Sequence, residues 1–356
     1  MIYENYSVFA VGPVSMYPDT LELGAKQTPY FRNKLFSDVL LKSEALLLKM
    51  LNAPIGSRVV FLTASGTAGM EATVMNLLNQ NDKAIVVNGG TFGDRFASLC
   101  KSHFVPHDEL IVDDTDLNNL NSIFSVDGHT AFLVNAHETS VGRLYNLESI
   151  GNFCRAHNLL NIVDAISMFV TDYVDMQEHS IDALILSSQK GLALPPGLSM
   201  IVLTPKAISR LKDVNINYFD FKNYLSDGER GQTPYTPAVT IILQLLQRLE
   251  MIEKQGGIKS TIKQAEFISN YFRRAIAHLP LKFYSKYMPN AMTSLMPTDG
   301  KNALDIVRLL EEKYHIIVCP NGGALSSVIF RVSHMGYMTK EYVDNLINAL
   351  NDIYNI

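Results

Sequence analysis

NIVDAISMFVTDYVDMQEHSIDALILSSQK, residues 161–190, contains two short apolar runs that each end in polar residues. NIVDA (161–165) and DALILSS (182–188) are apolar at most positions, which is typical of strands that are covered on both faces. The first run contains Asp164, and Lys190 follows the second. The stretch therefore predicts two buried strands with chemically active side chains at their ends.

The same pattern continues on both sides of this stretch. Helix candidates at 68–79, 91–102, 116–124 and 147–158 separate further apolar runs, which are RVVFLT (58–63), KAIVVN (83–88), ELIVD (109–113), TAFLVN (130–135) and MIVLT (200–204). Alternating strands and helices predict an α/β fold with a mostly parallel sheet and right-handed crossovers. In such sheets ligands bind beyond the carboxyl ends of the strands.

The pattern changes after about residue 237. A long helix at 237–254 ends before two glycines, and a second helix at 259–277 leads into a weaker αβ section that closes with a helix at 339–353. We therefore expect a smaller C-terminal α/β domain, completed by the N-terminal strand. The expected division is an N-terminal segment (1–20), a large domain (21–255) and a small domain (256–356).

Composition excludes several classes of protein. Of 356 residues, 47% are hydrophobic and 18% charged, which supports a large core and argues against disorder. The net charge is −5 without a basic run, so nucleic acid is not an expected partner. The longest uncharged stretch, 231–247, is broken by prolines and glutamines, so no membrane span is expected. Three separated cysteines and the lack of a signal-peptide pattern favour a cytoplasmic protein.

Four features follow predicted strands. Ser65-Gly66-Thr67 opens a helix, where backbone N–H groups and hydroxyls can bind an anion. Phe92 lies in a glycine-rich turn and offers an aromatic face. Asp164 ends a buried strand and needs a cation or hydrogen-bond donors. Lys190 lies at another strand end, where partial burial lowers its pKa and favours Schiff-base chemistry.

Taken singly, each feature fits a common structural role: a helix cap, a core aromatic, a capping aspartate or a surface lysine. Together they match the needs of pyridoxal phosphate. The lysine binds its carbonyl, the aspartate keeps its ring nitrogen protonated, the aromatic ring stacks on it, and the helix terminus binds its phosphate. The combination predicts a pyridoxal-phosphate enzyme.

The chain resembles the class V, fold type I, pyridoxal-phosphate aminotransferases over nearly its whole length. Within them it is similar to the alanine–glyoxylate/serine–pyruvate group and to the 2-aminoethylphosphonate–pyruvate transaminases. The matching motifs, in order, are Gly12-Pro13, Ser65-Gly66-Thr67, GTFGDR (90–95), HETSVG (137–142), Val163-Asp164-Ala165, Ser188-Gln189-Lys190, Pro196-Gly197 and FRVSHMG (330–336).

The resemblance implies a fold with a large mostly parallel sheet and a small C-terminal domain, and pyridoxal 5'-phosphate as cofactor. It implies Lys190 as the Schiff-base lysine and Asp164 as the partner of the pyridine nitrogen. It also places Phe92 against the ring and Thr139 near the ring hydroxyl. Family members often carry tryptophan at the stacking position, and this chain has none.

The resemblance also implies the substrate and phosphate contacts. An amino donor and a 2-oxo acid acceptor, such as pyruvate or glyoxylate, are expected to bind at Arg331 and Gly12, in a ping-pong reaction. A homodimer with shared active sites is implied, because Thr236 matches a residue that reaches the neighbouring subunit's phosphate. The other residues expected at the phosphate are Ser65, Gly66, Thr67 and Gln189.

Two alternatives rest on one or two side chains each. Cysteine desulfurases share this fold, and Cys319 lies near the place of their catalytic cysteine. They usually carry histidine before the lysine, where this chain has Gln189, and an apolar strand favours an inert core cysteine. His103 and His107 have a spacing compatible with a metal site, but Pro106 interrupts any helix that would align them.

Three further alternatives concern function. A nicotinamide-dependent dehydrogenase rests only on an imperfect glycine pattern at 88–93. A non-catalytic binding protein would not need Lys190. An aminophosphonate donor is suggested by Arg32, because the phosphonate transaminases carry an arginine in the same N-terminal stretch, whereas the motif at 334–336 favours the alanine–glyoxylate group.

Overall fold

The computed structural model describes residues 5–112 and 117–355. Its strands are β1 (Ser7–Phe9), β2 (Arg58–Leu62), β3 (Ala84–Asn88), β4 (His107–Ile111), β5 (Ala131–Asn135), β6 (His137–Glu138), β7 (Arg143–Leu144), β8 (Leu160–Asp164), β9 (Ala183–Ser187), β10 (Ser199–Leu203), β11 (Leu281–Phe283), β12 (Met292–Pro297), β13 (Ile316–Pro320) and β14 (Phe330–Ser333).

The helices surround these strands, and no helix among the described residues is long and apolar enough to cross a membrane. They are α1 (Pro18–Gly24), α2 (Lys34–Met50), α3 (Gly66–Leu77), α4 (Thr91–Ser102), α5 (Leu120–Ile123), α6 (Leu147–Ala156), α7 (Pro205–Ser209), α8 (Phe221–Gly228), α9 (Val239–Lys254), α10 (Ile258–Ala275), α11 (Ala303–Tyr314) and α12 (Lys340–Ile353).

The large sheet has the strand order β2-β10-β9-β8-β5-β3-β4 within the described residues. Only β10 runs antiparallel to its neighbours, so the other six strands point the same way and their carboxyl ends meet at one edge. The register places Asn135 beside Asp164 at that edge. The predicted α/β fold with a large, mostly parallel sheet is confirmed.

Helices cover both faces of this sheet, which explains why its central strands are buried at every position. Leu47 of α2, Ile150 of α6 and Leu245 of α9 belong to the core on one face. Met70 of α3 and Phe96 of α4 belong to the core on the other. Two packed layers hold the strand ends rigidly enough to position a site.

A smaller sheet has the order β1-β13-β14-β12-β11, and its core includes residues of α10, α11 and α12. The N-terminal strand β1 pairs in parallel with β13, so the start of the chain joins a sheet built mainly from residues after 280. The domain boundaries at 20 and 255 remain predictions.

Several predicted elements differ in their bounds, and the helix expected at 68–79 is Gly66–Leu77. The strand expected at 109–113 is His107–Ile111, because an edge strand pairs through its backbone and includes polar residues that an apolar run does not reveal. The helix expected at 116–124 is a 3₁₀ turn, Leu117–Asn119, followed by the short α5. Several asparagines there favour turns over a long helix. Asp113 and Asp116, which these predictions included, lie outside the described residues.

Candidate active site

Asp164 lies at the carboxyl end of β8, where it is 6% exposed. Its carboxylate accepts hydrogen bonds from the Asn135 side chain and, at 2.8 Å, from the backbone N–H of Ile166. Burial raises the pKa of Asp164 to about 6. Among the described residues, no lysine or arginine comes within 4.0 Å of this carboxylate. The group is therefore placed to pair with a cation that a ligand supplies.

Lys190 follows the end of β9 and is mostly buried. Its Nζ donates a hydrogen bond to the backbone oxygen of Val11, in the segment after β1. Burial lowers the pKa of Lys190 to about 8. A larger fraction of the amine is therefore neutral near physiological pH than for an ordinary lysine, as a nucleophile requires.

Gly12 lies against this lysine. Its φ is +124°, and a Cβ there would be 2.6 Å from Lys190 Cδ and 2.8 Å from Lys190 Nζ. Both the backbone conformation and the close approach therefore require glycine. The position expected to contact substrate is thus next to the lysine amine.

The first turn of α3 approaches the end of β9. A Cβ on Gly66 would lie 2.5 Å from Ile166 Cδ1 and 3.1 Å from Ser187 Cβ, so a larger residue would displace the Ile166 side chain and crowd Ser187. Ser65 caps the helix, and its Oγ accepts from the backbone N–H of Ala68 at 3.4 Å. Gln189 accepts a hydrogen bond from the Ser187 hydroxyl. A helix N-terminus and a side-chain amide therefore meet at a place suited to an anion.

Arg95 links Thr67 and Phe92 on the other side of the same region. Its guanidinium donates to Thr67 Oγ1 at 3.1 Å and lies 4.7 Å from the centre of the Phe92 ring. Phe92 is partly buried at the start of α4. Arg95 belongs to the motif at 90–95, but the sequence alone does not indicate this contact with Thr67 and Phe92.

Glu138 holds the turn that carries Phe92. Its buried carboxylate accepts hydrogen bonds from the backbone N–H groups of Phe92 at 3.2 Å and Gly93 at 2.9 Å, and from Ser140. These N–H groups would bind the pyrophosphate in a dinucleotide site. Because a carboxylate already occupies them, the glycine pattern at 88–93 does not form such a site.

Arg331 connects the small sheet with the turn between β6 and β7, which form a separate two-stranded sheet. It lies on β14 and donates to the backbone oxygens of Thr139 at 3.0 Å and Pro320 at 2.7 Å, while its buried Nε has no partner among the described residues. Thr139 is buried, and its hydroxyl donates to Ser167 Oγ at 2.8 Å. The free Nε is a donor that a bound carboxylate could use.

Cys319 lies on β13, directly opposite Arg331 in the strand register. It is partly buried, and its Sγ accepts a hydrogen bond from the backbone N–H of Val11 at 3.3 Å. The prediction of a strand residue is confirmed. The thiol is nevertheless close to the lysine, because Val11 contacts both, the thiol through its N–H and the Lys190 amine through its carbonyl oxygen.

Thr236 lies in a loop that contacts the end of β2, because the backbone N–H of Ala238 donates to Thr63 Oγ1 at 2.8 Å. It is exposed in the loop that leads into α9. Arg32 holds this loop, because its guanidinium donates to the backbone oxygens of Thr233 at 2.7 Å and Pro234 at 3.3 Å. The proposed contact of Thr236 with a neighbouring subunit remains a prediction.

The two histidines considered as metal ligands belong to different elements. His103 follows the end of α4 and its Nε2 lies 3.0 Å from Glu71, whereas His107 begins β4 and its Nδ1 lies 3.0 Å from the backbone oxygen of Val105. Within residues 5–112 and 117–355, no cluster of side chains suited to a metal ion is found.

The fold consists of a large, mostly parallel sheet and a small C-terminal sheet. A buried aspartate lies at the end of one strand of the large sheet, and a lysine follows the end of the next. These features together define a pyridoxal-phosphate enzyme of fold type I. Comparison with known proteins gives the family. Residues 27–346 match the family model for aminotransferase class-V. The chain belongs to the class-V aminotransferase family and is a pyridoxal-phosphate-dependent transaminase.

Individual relatives agree with this family. An uncharacterized aminotransferase of Helicobacter pylori (strain J99) is 29% identical over 360 residues, covering 97% of this chain and 94% of the relative. The alanine–glyoxylate aminotransferase of Felis catus is 24% identical over 367 residues, covering 98% and 87%. A crystal structure of a subgroup IV aspartate aminotransferase from Thermus thermophilus superposes with a TM-score of 0.90 at 23% identity, covering 98% and 99%, and shows the same fold.

The described residues fit the cofactor. Asp164 is a buried carboxylate without a nearby cation among the described residues. The protonated ring nitrogen of the cofactor would supply that positive charge. Lys190 is a mostly buried amine with a lowered pKa, so it is suited to bind the carbonyl group of the cofactor. The first turn of α3 leaves a helix terminus for the phosphate. The role of each residue remains a proposal.

Proposed function

We propose that this transaminase moves an amino group between a small amino acid and a 2-oxo acid such as pyruvate or glyoxylate, in a ping-pong reaction. The observation that carries the proposal is Arg331, whose side chain bridges from β14 to Thr139 beside the strand-end residues. When bound, pyridoxal phosphate supplies a carbonyl for the amino group and a ring that accepts electrons. The name of the Felis catus relative supports glyoxylate as an acceptor.

Lys190 is proposed to hold the cofactor and then to move the proton at the substrate Cα. Its lowered pKa, about 8, lets the amine act as base and its ammonium form as acid near neutral pH. Asp164 keeps the ring nitrogen protonated, and the hydrogen bonds from Asn135 and Ile166 fix the carboxylate in place.

Arg331 is proposed to bind the carboxylate that donor and acceptor share. A guanidinium presents paired donors to a carboxylate, so both substrates can be held in one orientation. This orientation sets the Cα–H bond relative to Lys190. Ser65, Gly66, Thr67 and Gln189 are proposed to bind the phosphate, and Phe92 to stack on the ring.

An aminophosphonate donor has less support. The guanidinium of Arg32 donates hydrogen bonds to the backbone oxygens of residues 233 and 234. Within this chain it therefore stabilises the loop that leads into α9. A desulfurase is also less supported, because Gln189 precedes the lysine and Cys319 lies within a strand. A cytoplasmic location remains a prediction.

The test is a donor screen with purified holoenzyme. Alanine, serine, aspartate, cysteine and 2-aminoethylphosphonate are each supplied with pyruvate or glyoxylate, and the amino and oxo products are quantified, with sulfide measured for cysteine. We expect turnover with at least one α-amino acid. Turnover with 2-aminoethylphosphonate alone, sulfide release from cysteine, or no reaction with any donor would overturn the proposal.

Replacing Arg331 by lysine is expected to raise KM for both substrates about 10- to 100-fold, the effect of losing about 1.5–3 kcal/mol from one charge-assisted hydrogen bond. The charge remains, but the paired donors are lost. Steady-state kinetics with pyruvate measure the change. Arg308→Lys, on an exposed arginine of α11, is the control and should change nothing. An unchanged kcat/KM in Arg331→Lys would leave Arg331 a purely structural residue.

The working unit is expected to be a homodimer with Thr236 acting across the interface. Size-exclusion chromatography with light scattering measures the mass. Mixing inactive Lys190→Ala chains with cofactor-weakened Thr236→Ala chains should restore activity, because a mixed dimer then has one site with both changes and one intact site. A fully active monomer, or no recovery on mixing, would contradict the shared site.

A further inference from the structure

A cavity of about 380 Å³ lies between α9 and α10, outside the site described above. It is bounded by the segment before α1, by the loop after Lys190 and by the residues that follow β14. None of the residues proposed for the cofactor or substrate lines it. Its polar lining includes Tyr17, Thr171, Arg248, Ser260, Gln264 and His334.

Arg248 distinguishes this cavity from an ordinary cleft. The side chain lies on α9 and is 3% exposed, yet no carboxylate among the described residues comes within 4.0 Å of it. Arg210, a partly buried arginine, differs because it pairs with Asp82 at 2.8 Å. A buried charge without a counter-charge is unfavourable, and arginine does not relieve this by losing its proton.

The contacts that Arg248 does make leave donors free. It donates to the Tyr17 hydroxyl at 3.0 Å and to Met251 Sδ at 3.2 Å, and its Cζ lies 4.0 Å from the centre of the Tyr17 ring. Its buried Nε has no partner among the described residues. A guanidinium with five N–H donors is therefore only partly satisfied.

We propose that this cavity binds a small oxyanion, a carboxylate or a phosphate, with Arg248 as the charged anchor. The planar guanidinium matches two oxygens of such a group. The hydroxyl of Ser260 and the amide of Gln264 line the α10 side and can donate to the remaining oxygens, whereas the Thr261 hydroxyl already donates to the backbone oxygen of Ile258. The anion supplies the missing counter-charge and connects α9 with α10.

The competing explanation is that Tyr17 alone stabilises the guanidinium, through its hydroxyl and ring. In that case neither anion binds. The measurement is isothermal titration calorimetry on the holoenzyme, whose own phosphate site is filled by cofactor. One arm uses inorganic phosphate and the other uses succinate, which separates a tetrahedral ligand from a carboxylate.

We expect one molecule of phosphate or succinate to bind per chain, and binding to weaken at least tenfold in Arg248→Met. Arg331→Met should retain this binding, because Arg331 belongs to the substrate site. Arg210→Met is the control for loss of an arginine outside the cavity and should also retain it. Absence of binding in the unaltered holoenzyme, or binding lost in Arg331→Met but kept in Arg248→Met, would overturn the proposal.

A second variant keeps the test decisive if Arg248→Met does not fold. Gln264 is exposed at the cavity margin on α10, so Gln264→Leu should leave the unfolding temperature in anion-free buffer unchanged. We expect it to weaken the binding several-fold. Binding of the same strength in Gln264→Leu and in the unaltered protein would place the anion elsewhere.

Discussion

Lys190→Ala is expected to abolish transamination, with kcat lowered at least about 10⁴-fold. General acid–base catalysis alone contributes about 10²–10⁴-fold, and the covalent attachment of the cofactor is lost as well. Steady-state kinetics measure the rate. The unaltered protein is expected to be yellow, and borohydride followed by peptide mass spectrometry should place the cofactor on Lys190.

Lys34→Ala serves as the control, because Lys34 is exposed and pairs with Asp38 one turn along α2. Its activity and colour should match those of the unaltered protein. Recovery of the borohydride label on another lysine would contradict the assignment. So would a Lys190→Ala protein that turns over substrate at the normal rate.

Asp164→Asn is expected to retain the cofactor and to lose about 10²-fold or more in kcat, the scale of removing one preorganised electrostatic partner. Asparagine is nearly isosteric with aspartate and can still accept the hydrogen bond from Ile166 N–H. It cannot stabilise a protonated ring nitrogen, so the ring loses its capacity to accept electrons. Kinetics and the visible absorption band measure the two effects separately.

Asp172→Asn is the matched control. Asp172 is also buried, and burial also raises its pKa to about 6, but its carboxylate accepts from the backbone N–H of Asn290. Asp172→Asn should leave the cofactor spectrum unchanged. Near-normal turnover in Asp164→Asn would make Asp164 a structural residue, and an equal loss in both variants would indicate a general effect of altering a buried carboxyl group.

The sequence predicted the elements of the large sheet because their local patterns are strong. α4 was predicted at 91–102 and has these bounds, and both strands of the opening stretch agree within a residue. The strand order was not predictable in the same way. The antiparallel β10 lies between β2 and β9, and nothing in its own apolar pattern specifies which neighbours it pairs with.

The strand-end residues of the candidate site were predicted, whereas their supporting partners were not. Asp164 and Lys190 each follow an apolar run, which a single sequence shows. Glu138 was missed because its role depends on backbone N–H groups of Phe92 and Gly93, which only the folded chain brings near it. The two peptide contacts of Val11 depend on distant parts of the chain in the same way.

One residue, Val11, links the two sheets at the reactive lysine. The N–H of Val11 binds Cys319 on the small sheet, while its oxygen binds the Lys190 amine beside the large sheet. If the small sheet moves relative to the large one, the hydrogen bond between the Val11 oxygen and the Lys190 amine therefore changes. We therefore expect the pKa of Lys190 to depend on the relative position of the two sheets, because a hydrogen bond to a carbonyl oxygen favours the charged amine.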